Sequence, residues 1–143
     1  MSRTLALDLG ERRIGVAVSD PQGVIAQPLL VIERRGGAAD LGRIGAIVSA
    51  QAVARVVVGY PLTLAGQAGT QARRVDRFIE QLRRALAVEV VAADERLTTA
   101  AAERSLLEGG VRRGRRRQVR DAVAAALILQ GYLDRRRTGD DSL

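Results

Sequence analysis

The chain has 143 residues, enough for one domain with a single core. Hydrophobic residues make up 47% and aromatics 2%, so the core is expected to be Leu, Val, Ile and Ala, and a base-stacking platform of exposed rings is excluded. There is no Cys, no His and no Lys, and all 23 basic residues are Arg; this removes disulfides, Cys/His zinc sites and histidine acid–base chemistry, while a net charge of +7 favours a polyanionic partner, nucleic acid above all.

Residues 3–9 alternate imperfectly up to Gly10 and read as a strand. After a short "ERR" turn, "IGVAVSD" reads as a second strand, with Ile14, Val16 and Val18 on one face and Gly15, Ala17 and Ser19 on the other. "PQG" turns the chain into a third strand over 24–34, where Pro28 suits an edge or a bulge. Three strands joined by short turns predict an antiparallel meander. The period then changes. A helix is expected over 39–51, with Leu41, Ile44, Ile47 and Val48 on one side. "VARVVVG", 53–59, is apolar throughout, as a central strand covered on both faces would be. A helix over 70–86, a fifth strand over 88–94, a helix from Thr98 or Thr99 to Gly109-Gly110 and a last helix over 117–135 complete the order. The pattern predicts an α/β fold, a mixed five-stranded sheet with helices on both faces, in one domain over 1–136. Residues 137–143 read as a disordered tail. No signal peptide is visible, and the longest apolar run, "AVAAALIL" at 122–129, is far short of the ~20 residues a membrane span needs, so a cytoplasmic protein without membrane association is expected.

With no His, Cys or Lys, the chemistry must be sought among the 16 acidic residues. Most fall on expected solvent faces, at element ends or in turns, Asp40 and Asp20 among them. Four do not. Asp8 lies inside the first strand between Leu7 and Leu9, where an isolated carboxylate is costly unless something pairs with it. Asp94 and Glu95 stand where the fifth strand ends, and Asp121 begins the apolar part of the last helix. Asp8 shares its face with Ala6 and Gly10, and the neighbouring strand offers Gly15 and Ala17. The last helix carries Ala124 and Ala125 at i+3 and i+4 from Asp121. A small-faced helix can lie close on a small-faced sheet and bring Asp121 to Asp8, with an acid from the end of the fifth strand as the third group. Spacing does not choose between Asp94 and Glu95. Three converging carboxylates repel unless a cation joins them, and an all-oxygen set selects Mg²⁺ or Mn²⁺. Clusters of this kind serve phosphodiester cleavage.

"LALDLGERRIGVAVSD", "VVVGYPLTLAGQAG", "ADERLTTAAAE" and "RDAVAAALILQGYL" resemble, in order, the four blocks of the YqgF/RuvX family, described as Holliday-junction-resolvase-like proteins and as pre-16S rRNA nucleases. The resemblance spans about residues 3–133. It implies an RNase H-like fold and acidic catalytic, metal-holding positions at Asp8, Glu95 and Asp121; the choice of Glu95 is the family's. It also implies basic substrate-binding positions in the first turn, here Arg12 and Arg13, and before the last helix. In the second region Arg112, Arg113, Arg115, Arg116, Arg117 and Arg120 read as a phosphate clamp. "GYPLTLAGQAG" lacks the GxxxxGK pattern and is not a nucleotide P-loop, but its glycines free backbone N–H groups just before a helix.

The expected function is a metal-dependent endonuclease on structured nucleic acid, with pre-16S rRNA maturation preferred and four-way DNA junction cleavage the alternative. The protein is expected to be a monomer or a homodimer, a symmetric dimer being what junction resolution requires. Two other classes compete: a non-catalytic RNA-binding assembly protein on the same scaffold, and an ATPase of the actin/Hsp70 superfamily, whose first phosphate loop "LDLGERRIG" resembles. That superfamily pairs two related domains, and this chain has room for one.

Overall fold

The computed structural model describes residues 2–61, 69–94 and 116–137, the side chains of 116–119 excepted. Its strands are β1 (Arg3–Leu9), β2 (Arg13–Ser19), β3 (Ala26–Glu33), β4 (Val53–Tyr60) and β5 (Glu89–Asp94). Its helices are α1 (Gly37–Ala50), α2 (Thr70–Ala85) and α3 (Arg116–Arg137). The strands form one sheet in the order β3-β2-β1-β4-β5. β1, β2 and β3 pair antiparallel, whereas β1–β4 and β4–β5 are parallel. The expected mixed five-stranded sheet is what forms, to within a residue or two at most element ends. α3 runs two residues beyond the expected end, to Arg137, and the helix expected between Thr98 and Gly110 lies outside the described residues, as do 138–143.

The two faces of the sheet differ in residue size, and that difference positions the site. One face presents Leu5, Leu7, Leu9, Ile14, Val16, Val18, Val56 and Val58, all buried against Ile44 and Val48 of α1 and Val75, Phe78, Ile79 and Leu82 of α2. The other presents Ala6, Ala17, Val57 and Ala93, packed against Ala125, Ala126, Ile128, Leu129, Tyr132 and Leu133 of α3. Strands buried on both faces read as continuous apolar runs, as "VVV" in β4 does. Ala125 and Ala126 make the close approach to the sheet; Ala124, expected to share it, is only half-buried.

Pro28 proves to be on an edge strand and beside a bulge. Val16 pairs with Leu30 but Ala17 pairs with Pro28, so Leu29 is the extra residue. The start of β3 is fastened to α3 by one side chain: Gln130 Oε1 accepts from the Ala26 N–H at 2.9 Å, and its Nε2 donates to the Val24 carbonyl at 2.9 Å. Asp40 departs from expectation. It is 3% exposed rather than solvated, because the chain at 35–36 folds back over it. Its carboxylate accepts from the N–H groups of Arg35 (2.9 Å) and Gly36 (3.3 Å), with the Arg34 guanidinium 3.8 Å away. A helix that opens on glycine, with no capping side chain at Gly36, thus receives its carboxylate from within its own first turn.

Candidate active site

Asp8 lies near the C-terminal end of β1, the middle strand, directly across from Gly15 of β2. Antiparallel partners stand with Cα atoms roughly 4.5–5.5 Å apart. By alternation both belong to the small-residue face, with Ala6 and Ala17, so Asp8 projects on the side covered by α3. Gly15 is where α3 touches down. A Cβ at that position would run into the carbonyl of Asp121 and come within 3.2 Å of the Ala122 nitrogen. The backbone of Asp121 therefore rests on the strand residue that faces Asp8, at a contact only glycine permits. Both acids are half-buried. The Asp121 backbone and the Asp8 backbone are thus both neighbours of Gly15.

The hairpin before β2 supports this corner. The Gly10 N–H donates to the Arg13 carbonyl at 2.8 Å, closing a two-residue loop at Glu11 and Arg12. The Arg34 guanidinium donates to the Gly10 carbonyl at 2.9 Å, and Gln71 of α2 reaches the Leu9 carbonyl at 3.4 Å. Asp94, at the end of β5, pairs with Tyr60 and alternates with Val90 and Ala92 onto the large-residue face, away from Asp8. Glu95 lies outside the described residues, and among these no group of three metal-ligating side chains occurs. Next to Asp94, the Tyr60 hydroxyl donates to Asp76 at 3.1 Å; burial first, then Asp76, raises its pKa above the ordinary 10.0.

Of the expected basic contacts, Arg12 is exposed at the hairpin tip, while Arg13 is tied to Glu33 at 3.1 Å and its charge is partly met. Arg120 is exposed one residue before Asp121. Arg116 and Arg117 occupy the first turn of α3, which holds no acidic residue, but their side chains are outside the described set. Arg112, Arg113, Arg115 and the loop at 62–68 are outside it too. Residues in the first turn of a helix already feel its positive end, so Arg there costs stability in the absence of an anion.

The family model described as "RuvX: Holliday junction resolvase" matches residues 2–135. A Desulforudis audaxviator protein provisionally named a pre-16S rRNA nuclease is 48% identical over 137 residues, covering 96% of this chain and 97% of its own. A Symbiobacterium thermophilum protein with the same provisional name is 51% identical over 130 residues, covering 91% and 90%. Among solved structures, Thermus thermophilus RuvC in complex with a Holliday junction substrate superposes with a TM-score of 0.63 at 18% identity, covering 98% of each chain. That likeness establishes the RNase H-like fold. With the family model spanning almost its whole length and relatives near half identity, the chain belongs to the RuvX family of nucleases.

Proposed function

We propose that this protein is a divalent-metal-dependent endonuclease of structured RNA that processes the precursor of 16S rRNA in the cytoplasm, with Asp8, Glu95 and Asp121 holding Mg²⁺ or Mn²⁺. The observation that carries the reading is the contact of the Asp121 backbone with Gly15, the cross-strand neighbour of Asp8. The donor set fits a hard cation, since the chain has carboxylates but neither Cys nor His. Asp94 turns to the opposite face, which favours its neighbour Glu95 as the third ligand. A bound divalent ion supplies Lewis-acid chemistry for phosphodiester hydrolysis.

The remaining work falls to the chain itself. Asp8 is carried by the central strand and Asp121 by a helix seated on the neighbouring strand β2, an arrangement that orients both carboxylates before substrate arrives. The arginines at 112–120 and at the hairpin tip attract and hold the phosphate backbone, Arg gripping phosphate in bidentate fashion. A phosphate near the start of α3 offsets the cost of placing Arg116 and Arg117 at a positive helix end.

The substrate preference draws on the provisional names of the curated relatives. The family description names junction resolution, and that is the second reading. The test is cleavage of a precursor 16S rRNA fragment beside a synthetic four-way DNA junction, with Mg²⁺ or Mn²⁺ and an Asp121→Asn control. Cutting of the RNA but not the junction, lost in the control, is expected. Cutting of the junction alone would transfer the assignment to the second reading, and cutting of neither would favour the non-catalytic class.

A further inference from the structure

We propose that the end of the sheet opposite the carboxylates carries a second, built anion site, one that binds a phosphate group. A cavity of about 460 Å³ opens there between the N-terminal ends of β1 and β4, the turn before β3 and the last turn of α3. Its volume falls within the ~300–1,000 Å³ typical of small-ligand sites. Arg3, Arg55, Arg136 and Arg137 line it, together with Gly23 and Leu133.

The four guanidinium groups are held differently, and the difference points to a ligand. Arg55 is paired with Glu89 at 2.9 Å and Arg137 with Asp134 at 3.0 Å. Arg3 and Arg136 have only neutral partners among the described residues. Arg3 donates to the amide oxygen of Gln51 at 3.1 Å. Arg136 donates to the Tyr132 hydroxyl at 3.0 Å, with its guanidinium 5.6 Å from that ring's centre. Arg55 donates to the same hydroxyl, also at 3.0 Å. Tyr132 is buried, and its oxygen takes two cationic N–H donors while its own proton meets no acceptor among the described residues. Among the described residues, two guanidinium charges without an acidic partner therefore line a single cavity, and the Tyr132 hydroxyl holds two of its arginines from behind that lining. A tetrahedral phosphate, with several acceptor oxygens and at least one negative charge, meets both of these charges. The C-terminal end of α3 opposes this with about half a negative charge, less than the two guanidinium charges supply.

The site stands apart from the carboxylates. From Asp121 to Arg136 is 15 residues of one helix, or about 22 Å at 1.5 Å per residue. It does not depend on metal binding or on cleavage, so it survives if the nuclease reading fails. The phosphate can belong to a nucleic-acid backbone or to a free phosphate compound, and two probes separate these sources.

Both measurements are made in EDTA, so that no metal-bridged binding or cleavage intervenes. In the first, inorganic pyrophosphate is titrated calorimetrically into the full chain and the Arg3→Gln/Arg136→Gln variant. In the second, binding of an RNA hairpin is followed against salt concentration for the same pair. A free phosphate ligand predicts at least a tenfold loss of pyrophosphate affinity in the variant with an unchanged salt slope for the hairpin. A backbone ligand predicts a slope shallower by about one unit, as loss of one phosphate contact requires. Tyr132→Phe, which keeps the ring in the core and removes only the hydroxyl, is expected to weaken whichever probe responds. If neither probe distinguishes the wild-type chain from the double variant while both proteins melt cooperatively at similar temperatures, the site does not exist as described.

Discussion

Gly15→Ala distinguishes a helix seated on β2 from one that merely covers the sheet. The added methyl group would overlap the carbonyl of Asp121, a backbone atom that no rotamer change can move aside. Ordinary contact requires roughly 3.5 Å, so the first turns of α3 would have to lift by about 1 Å or more. Overpacking of this kind costs about 1–3 kcal/mol, which in a chain of this length lowers Tm by roughly 3–12 °C. The catalytic effect should exceed the stability effect, because displacing a positioned group by about 1 Å costs on the order of 100-fold in rate. Gly42→Ala is the matched control. It makes the same chemical change on an exposed face of α1, where an added Cβ meets nothing within 4 Å. Removing a helical glycine there should stabilise by about 0.5–1 kcal/mol and leave cleavage unchanged. The assays are thermal melting and single-turnover cleavage of the precursor rRNA fragment. A Gly15→Ala protein with wild-type Tm and wild-type cleavage would refute the seating of Asp121 on β2.

Other expectations follow from the same geometry. Asp8→Asn, Glu95→Gln and Asp121→Asn should each lower cleavage on the order of 1000-fold while leaving substrate binding intact; normal turnover in any one removes that residue from the site. Replacing Arg112, Arg113, Arg115 and Arg116 with Ser should flatten the salt dependence of nucleic-acid binding by about 0.7–0.9 per lost phosphate contact, and an unaltered slope would return that segment to a solvated role. Asp40→Ala should destabilise by about 1–3 kcal/mol by leaving two backbone N–H groups unpaired, which chemical denaturation would read directly. Asp20 is held below the ordinary 3.8 chiefly by the N–H of Ile25; desolvation opposes this, and the N–H groups of Val24 and Gln22 add to the lowering. Because its folded pKa is depressed, its contribution is complete above the unfolded value and fades as pH falls through the folded one. The stability difference between wild type and Asp20→Asn should therefore be constant above about pH 5 and shrink as the pH falls below about 4; a difference that does not narrow there contradicts this.

Much of the fold could be read from residue patterns because local chemistry and the final structure agree. Pro28 could not sit in a central strand, and it lies on the edge beside a bulge. Asp8 among Ala6, Gly10 and the small residues of β2 announced a shallow patch of sheet, and α3 lies on that patch. Asp94 and Glu95 were indistinguishable by sequence since both stand at a strand end; only the pairing of Asp94 with Tyr60 fixes the face it takes. The burial of Asp40 was invisible because an acid in the first turn of a helix is ordinarily solvated, and only the fold of 34–36 over it removes water. The arginine-lined cavity had no sequence signature. Arg3, Arg55 and Arg136 are widely separated along the chain, and parallel pairing of β1 with β4 beneath the end of α3 is what collects them. Arg13, by contrast, looked available for phosphate and is engaged with Glu33, a cross-strand pair that only the register reveals.

The central claim is that Asp8 and Asp121 share a divalent cation. Crystals soaked in Mn²⁺ and measured at the manganese absorption edge test it most directly. An anomalous peak in direct coordination with both carboxylates, absent from Asp121→Asn crystals grown alike, is the predicted result. Manganese bound elsewhere, or a well-ordered Asp8 and Asp121 with no shared ion at saturating metal, would contradict it.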